Sequence, residues 1–460
     1  MTAEHRSNKD NPRAQLPMRH IARAWWPLAA SWLLMAAESP TLSAVVARLA
    51  EPEINLAALG VVYSLALIVE SPIIMLLSAS TTLSKDWNSY LKLRRFMMSA
   101  GAILTVLHVL VAFTPLYHVV VVGIIGAPAE IVEPARLGLM LMTPWTWAIA
   151  YRRFNQGVLI RFGHSRAVSV GTLLRLSSNG LMLAAGYWIG TLPGIVVATG
   201  SLATGVVVEA LYAGLRVRPV LRDQLRQAPS VEQSLTLRAF LSFYVPLAMT
   251  SLLTLVVQPV GTAAISRMPN ALESLAVWQV VTGFIFLLRS MGLAYNEVVI
   301  TLLDEPHSWH NLRRFTVLLA TLTVVLLVSV AATPLATFWF GRVSALDPRL
   351  IDMARQSLWV ALPLPALNAV YSWYQGALVR SRRTRGITEA VLIYLLTSSA
   401  LLWAGVIWGR VTGLYIGLGA FGIGTLAQTV WLWHRSRPVM EDVRARDAAA
   451  AFETADALAQ

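Results

Sequence analysis

The sequence contains no cysteine, and charged residues make up only 13% of its 460 residues. Without cysteine there are no disulfide bonds and no thiolate metal sites. The chain also lacks a phosphate-binding glycine loop, a His-Glu-x-x-His motif and a nucleophile elbow, and its His108 and His118 stand alone. We therefore expect no enzymatic activity, no metal and no resident cofactor. H⁺ or Na⁺ is expected only as a coupling ion.

Apolar residues are what the sequence has in excess. Hydrophobic residues reach 56% and the mean hydropathy is +0.60, which is typical of a membrane protein. Each long apolar stretch is long enough to cross a hydrocarbon layer of about 30 Å as a helix, and no barrel-like alternation is present. We predict an all-α membrane protein of twelve transmembrane helices. The predicted spans are 25–48, 55–80, 96–116, 137–160, 167–189, 192–215, 240–265, 274–302, 315–340, 356–379, 387–409 and 411–433.

The basic residues alternate between the two ends of these spans. Twenty-eight of the 37 Lys and Arg fall on one side, and the net charge of +13 is therefore explained by membrane topology rather than by nucleic acid. Since basic loops stay in the cytoplasm, both termini are predicted to be cytoplasmic, in a multi-pass protein of the bacterial inner (plasma) membrane. Of the nine basic residues outside that set, Arg175 and Arg289 are predicted to lie in the interior of spans.

The two halves of the sequence align with each other without a gap at one fixed 219-residue shift. Pro40 falls on Pro259 and Arg48 on Arg267, and Leu93-Arg94-Arg95-Phe96 returns as Leu312-Arg313-Arg314-Phe315. Because each half holds an even number of predicted spans, the halves form a parallel repeat. The predicted units are a tail at 1–24, an N-lobe at 25–219 (spans one to six), a linker at 220–239, a C-lobe at 240–438 (spans seven to twelve) and a tail at 439–460.

This organisation, with a proline in the first helix of each half, resembles the multidrug/oligosaccharidyl-lipid/polysaccharide (MOP) flippase superfamily, which includes multidrug and toxic compound extrusion (MATE) proteins. Within it, the segments Trp25-Trp26-Pro27-Leu28, Leu59–Leu65 and Ala100–Phe113 are most similar to the branch of the progressive ankylosis protein. The resemblance implies a V-shaped transporter of two lobes that binds its substrate between them, and the narrower branch implies export of small anions.

Two acidic residues, Glu38 and Glu70, lie near the predicted bilayer midplane in the first two spans. A charge at that depth costs at least roughly 2.5 kcal/mol and seldom faces lipid. In one interpretation both carboxylates face a central cleft and form a proton- or cation-coupling site. In the other, each is a satisfied partner in helix packing.

At the 219-residue shift, Glu70 falls on Arg289. We expect an acid and a base at equal depth in opposing lobes, either as a gating ion pair, as a static pair, or with Arg289 binding an anionic substrate. Nearer the cytoplasm, Glu297 with Asn296 and Tyr295 would line the inner mouth of the cavity, unless Glu297 is simply solvated.

Pro40 and Pro259 stand in mid-helix, where each removes a backbone hydrogen bond and favours a kink. Such kinks serve either as gates or as packing features. The sequence thus predicts a monomeric secondary transporter of small organic ions that works by alternating access, an antiporter or efflux protein coupled to protons or cations. A flippase for lipid-linked oligosaccharides is one alternative. A membrane-embedded enzyme acting on lipid-borne substrates is another, and it would need a cluster of catalytic groups that the sequence lacks.

Overall fold

The protein is helical throughout the part that the computed structural model describes, which is residues 16–229, 235–306 and 308–459; no strand occurs within these ranges. Residues 1–15 of the predicted tail and 230–234 of the predicted linker lie outside the described residues. The first half of the chain forms ten α-helices and two short π-helices. These are α1 (Met18–Ala36), α2 (Glu38–Val46), α3 (Pro52–Ile74), α4 (Leu76–Leu83), α5 (Trp87–Phe113), α6 (Leu116–His118), π1 (Val119–Ile125), α7 (Ala129–Leu141), α8 (Thr143–Arg161), α9 (Ser165–Ile189), α10 (Gly194–Val220) and π2 (Leu221–Leu225).

The second half follows the same order. Its elements are α11 (Leu237–Leu255), α12 (Val257–Ile265), α13 (Ala271–Leu302), α14 (Ser308–Ala332), α15 (Leu335–Thr337), π3 (Phe338–Val343), α16 (Pro348–Ala361), α17 (Pro363–Arg380), α18 (Arg385–Trp408) and α19 (Gly413–Ala459). The last helix continues without a break through residues 439–459, the segment that the sequence predicts to be a separate tail.

Within the described ranges, nine helices are long and apolar enough to cross a membrane, which makes the chain a multi-pass membrane protein. The helices at the predicted fourth, fifth and tenth spans are not among the nine. Two of these three carry arginines inside the helix, Arg152 and Arg153 in α8 and Arg175 in α9.

The first helix of each half is interrupted near its proline. Ala37 separates α1 from α2, and Val256 separates α11 from α12, while Pro40 and Pro259 follow within the next turn. Because a proline ring clashes with the carbonyl group four residues earlier, the regular helix ends just before it. The first helix of each half is therefore interrupted one turn before its proline.

The two halves contact each other mainly through α1, α2 and α3 of the first half and α11, α12 and α13 of the second. Gly283 of α13 permits one close approach, since a Cβ atom there would lie 2.9 Å from Oγ of Ser39. We call the end of the bundle at which α2 joins α3 and α12 joins α13 the outer end. The opposite end holds both Met18 and the last turns of α19.

Candidate functional site

A partly buried ion pair in the first half joins α2 to α9. Nη1 of Arg175 lies 2.7 and 2.6 Å from the two carboxylate oxygens of Glu38, and Nδ2 of Asn179 donates a second hydrogen bond to the same carboxylate. Arg175 and Asn179 are four residues apart on α9 and therefore share one face of the helix. The side chain of Glu38 is 17% exposed, so this acid stays in contact with the space outside the network.

A second acid, Glu209 of α10, lies deeper beside the first pair. Arg152 of α8 donates a hydrogen bond to its carboxylate, Gln156 donates another at 2.9 Å, and Nε of Arg175 lies 3.3 Å away. Arg152 and Gln156 are also four residues apart on one helix face. Arg175 therefore connects Glu38 with Glu209, and the pairs form one network across α2, α8, α9 and α10.

Close helix packing holds this network together. A Cβ atom at Gly205 of α10 would lie 1.6 Å from Oδ1 of Asn179, so only glycine leaves room for that amide. Asn179 is then fixed beside Glu38. The sequence of α10 thus places one acid, Glu209, and one gap, Gly205, on the surface that receives α9.

Glu70 of α3 is buried near the same network, with only 6% of its surface exposed. The positive charges that act on its carboxylate are those of Arg153, Arg152 and Arg175. Together the three glutamates Glu38, Glu70 and Glu209 balance the three arginines. Buried charges are tolerated when they are compensated in this way.

A cavity of about 370 Å³ lies between the two halves of the chain. Glu38 reaches it from the first half and Arg289 of α13 from the second, and Gln258 and Gln279 add amide groups. Nε of Arg289 is buried and has no hydrogen-bond partner within the described ranges. The rest of the wall is mainly apolar, as is common for binding cavities. A positively charged residue thus borders the same space that Glu38 borders from the other side.

The structure does not bring Glu70 and Arg289 together as an ion pair. Glu70 lies among the arginines of the first half, whereas Arg289 borders the cavity together with Glu38. Burial in the α3 packing surface, rather than equal depth in the membrane, decides where Glu70 points. The acid opposite Arg289 across the cavity is therefore Glu38, which is already bound by Arg175.

The residues predicted at the inner mouth lie elsewhere. Asn296 donates hydrogen bonds to the carbonyl group of Ser372 and to the side chain of Gln375, so it fastens α13 to α17. Tyr295 is fully buried, and its hydroxyl group donates to the carbonyl group of Leu312. Glu297 is exposed. None of these three residues borders the cavity, and neither do Pro40 and Pro259.

At the outer end, Arg48 connects the halves. Its guanidinium group donates to the carbonyl group of Ala44 in its own helix at 2.6 Å, and to those of Arg342 and Val343 at 2.6 and 2.9 Å. The last two end the π3 helix of the other half. Carbonyl groups at a helix C-terminus lack partners within the helix and attract a cation.

Arg267 makes the reciprocal contact. It donates to the carbonyl group of Ala263 in its own helix at 2.7 Å, and to those of Gly123, Ile124 and Ile125 at 3.1, 2.6 and 2.6 Å. These three residues belong to the end of π1 in the first half. We call Arg48 and Arg267 with their carbonyl partners the two outer latches.

Sequence reasoning missed Arg152, Arg153 and Glu209. Both arginines are counted among the basic residues of the cytoplasmic side, although they fall inside the predicted span 137–160, and the structure places them within α8. Glu209 lies within the predicted span 192–215, so the rule that singled out Glu38 and Glu70 also applies to it. The four-residue spacings of Arg152 with Gln156 and of Arg175 with Asn179 were a further signal.

No protein-family model and no curated protein matches the chain in sequence. Solved structures do match it in fold. The helical fold matches those of membrane transporters and flippases of the MOP superfamily. The fold predicted by the resemblance is confirmed at this level.

Three of these structures cover nearly the whole chain. A multidrug resistance transporter of the MATE family in an inward-facing conformation aligns with a TM-score of 0.69 and 14% identity over 92% of this chain and 99% of its own. The lipid II flippase MurJ in an inward closed conformation gives 0.72 and 13% identity, over 93% and 90%. A MOP superfamily transporter from Pyrococcus furiosus, described as having a binding pocket of reversed polarity, gives 0.58 and 15%, over 94% and 98%.

Proposed function

We propose that this protein is a secondary active transporter of small organic ions that works by alternating access in the bacterial inner membrane. Twelve spans form two six-helix halves, with both termini in the cytoplasm, and the monomer carries its substrate in the cavity between them. The observation that carries the proposal is the cavity itself, which has Glu38 and its ion network on one side and the buried Nε of Arg289 on the other.

The bounds of the helices support the division into two halves. Met18–Ala36 and Leu237–Leu255 have the same length and are related by the 219-residue shift, as are Glu38–Val46 and Val257–Ile265. The two outer latches add to this, since the same shift relates Arg48 to Arg267. Parallel halves of this kind move against each other about a site at their interface.

The charge of the cavity favours an anionic substrate. Arg289 is the one arginine or lysine among the described residues that border the cavity, and the acid there, Glu38, is neutralised by Arg175. A guanidinium group binds a carboxylate or a phosphate through two parallel hydrogen bonds. An organic anion with an apolar body would fit both Arg289 and the apolar wall.

Glu38 supplies the coupling step in this proposal. Protonation of its carboxylate removes the negative charge that holds Arg175, and Arg175 then binds Glu209 alone. The α2–α9 contact weakens, which links proton binding to the position of α2 beside the interrupted helix. The buried Glu70 stays a second candidate for coupling, and Pro40 and Pro259 mark the places at which the first helix of each half would bend.

Uptake into proteoliposomes tests this function. Radiolabelled organic anions and cations are offered with and without a pH gradient to wild-type protein and to Glu38→Gln. We expect wild-type protein to accumulate an anion when a gradient is present. The Glu38→Gln variant should still exchange internal for external anion but should no longer accumulate it. Glu297→Gln, which changes an exposed acid, is the control. Absence of flux for every probe class would contradict transport.

A flippase for lipid-linked oligosaccharides is the second candidate, since the lipid II flippase shares the fold. A pyrophosphate-linked lipid would be expected to meet several arginines, whereas Arg289 alone borders this cavity among the described residues. The same vesicles, prepared with a lipid-linked oligosaccharide whose sugar is fluorescent, distinguish the two. Protein-dependent quenching of the labelled inner-leaflet lipid by a membrane-impermeant quencher added outside would favour the flippase.

A further inference from the structure

A groove of about 420 Å³ opens in the second half, between α14, α17 and α19. It lies at the end of the bundle opposite the outer end. Its floor is apolar and aromatic, with Val317, Trp373 and Met440 among its residues. It is separate from the central cavity, since no residue of the described chain borders both. The transport proposal therefore makes no use of it.

Three arginines converge on the rim of this groove. Arg313 of α14 and Arg444 of α19 lie over the same indole ring of Trp309, at 5.2 and 5.4 Å from its centroid, and Arg437 lies 3.8 Å from that of Trp433. Stacking on an aromatic face fixes a guanidinium group and leaves its N–H edges free to bind.

These positive charges lack compensation within the described chain. None of the three arginines has an ion-pair partner among the residues that the structure describes, and one acid, Glu441, borders the groove. Arg385 and Arg435 nearby differ, because both bind Glu389, at 3.2 and 3.0 Å. Positive charges held close together in this way attract an anion from outside the chain.

The groove lies where a lipid headgroup would be. On α14, Val317 follows Arg313 by one turn and is 60% exposed, and Val325 continues the same exposed apolar surface at 53%. In a membrane-spanning helix such a surface faces acyl chains. The arginines and the tryptophans therefore mark the level at which the hydrocarbon ends and phosphate groups begin.

The corresponding positions of the first half do not repeat this arrangement. Shifting each residue by 219 positions replaces Trp309 by Tyr90, Arg313 by Arg94, Trp433 by Gly214, Arg437 by Arg218 and Arg444 by Leu225. Leu225 is fully buried, so it contributes packing in place of charge. The cluster of three arginines thus belongs to the second half only, and the corresponding positions of the first half offer a matched control.

We propose that this groove binds an anionic phospholipid, with its phosphate group on Arg313, Arg437 and Arg444 and one acyl chain along the apolar floor. A phosphodiester accepts several N–H bonds at once, which suits guanidinium groups arriving from two helices. A net negative headgroup is required, since the rim carries more positive charge than one zwitterionic lipid would neutralise. The site does not depend on what the central cavity carries.

Native mass spectrometry of the full chain in detergent tests the proposal, with phosphatidylglycerol, phosphatidylcholine and inorganic phosphate as probes. The variant is Arg313→Gln with Arg437→Gln, and the matched control is Arg94→Gln with Arg218→Gln. Two basic residues at an anionic surface together change affinity by about 30-fold. We expect that loss of phosphatidylglycerol binding in the variant and little change in the control.

A second measurement keeps folding apart from binding. Phosphatidylglycerol should raise the unfolding temperature of wild-type protein and of the control, and should leave that of the variant unchanged. Equal losses in variant and control would mean general surface attraction and would overturn the proposal. Equal binding of phosphatidylcholine, or displacement of the lipid by millimolar inorganic phosphate, would overturn it as well.

Discussion

The two halves of the chain follow one helical order but distribute their charges differently. In the first half, four positions of the ion network carry Glu38, Arg152, Arg175 and Glu209. The corresponding positions of the second half hold no charged residue; they are Val257, Tyr371, Tyr394 and Gln428. The second half keeps a single charge at the place of Glu70, which is Arg289.

In our proposal this difference separates two tasks, ion coupling and substrate binding, between the two halves. The network of three glutamates and three arginines is neutral overall, and protonation of Glu38 changes its net charge by one within the first half. A lone arginine beside the uncharged Tyr371 and Tyr394 keeps its charge for a ligand, because no acid in the described part of its own half neutralises it. In our proposal the first half therefore couples and the second half binds.

Exchanging the two unlike residues should have the largest effect. Glu70→Arg places a fourth guanidinium group among Arg152, Arg153 and Arg175, and an uncompensated buried charge costs about 3–5 kcal/mol. The double variant Glu70→Arg with Arg289→Glu should thus be no better than Glu70→Arg alone. Yield of monodisperse protein and anion flux would be measured. A higher yield or flux in the double variant than in Glu70→Arg would support the direct ion pair of Glu70 and Arg289 that the sequence predicted.

Glu209→Gln should come next. The amide still accepts hydrogen bonds but no longer balances Arg152, and we expect a loss of about 3 kcal/mol in unfolding free energy, since Arg175 keeps Glu38. Gln428→Leu, at the corresponding place in the second half, should cost less than about 1 kcal/mol. Denaturant titration of both variants gives the comparison. Equal losses would mean that the two halves do not differ at this position.

Arg289→Gln should weaken anion binding by about 10- to 150-fold, because a hydrogen bond to a charged group contributes about 1.5–3 kcal/mol. Glu297→Gln, two turns along the same helix, is the control and should leave affinity unchanged. The affinity is measured by competition in the exchange assay. An unchanged affinity in Arg289→Gln would show that Arg289 does not bind the anion, and the second half would then not be the binding half.

The sequence predicted the architecture better than the site. Apolar length and the basic loops indicated a membrane-spanning helical bundle, and the 219-residue register marked the interruptions at Pro40 and Pro259. These features depend on the backbone and on the solvent, so a single sequence is enough to predict them. The exact number of spans and the lobe boundaries stay predictions.

Side-chain partners were harder to predict. Glu70 and Arg289 share a register position, yet Glu70 turns toward the arginines of its own half and Arg289 borders the central cavity, because rotation about a helix axis is set by packing and not by depth. Asn296 likewise faces α17 rather than the cavity. Arg175 was recognised as buried, but its partners lie on α2 and α10, and no spacing along the chain links α9 to either helix.

The outer latches are the feature in which the halves are most alike, and their removal should have a moderate effect. Arg267 meets three carbonyl groups of the other half and Arg48 meets two. Replacing either by Gln should shift the balance toward an open outer end about fivefold, with Arg267→Gln the larger, if each exposed latch contributes about 1 kcal/mol.

Distances between two spin labels, measured by electron–electron double resonance, would detect that opening. Because the chain contains no cysteine, labels attach only where cysteine is introduced, for instance at Glu130 and Arg349, exposed positions at the outer end of opposite halves. Arg136→Gln, which binds carbonyl groups within its own half, is the control. A distance that stays the same in both latch variants would show that the arginines do not hold the outer end closed.

Gly126→Ala should give the smallest change and still distinguish the two latches. Gly126 has φ of +72°, and a Cβ atom there would lie 3.0 Å from the Cζ of Arg267. Alanine therefore meets backbone strain of about 1 kcal/mol and pushes the guanidinium group from its carbonyl partners. The corresponding residue, Ala345, already carries a Cβ atom at φ of +54°. Ala345→Gly should thus leave the outer distance unchanged, whereas Gly126→Ala should lengthen it in the direction of Arg267→Gln. If both substitutions act alike, the extra carbonyl contact at Arg267 does not depend on the glycine.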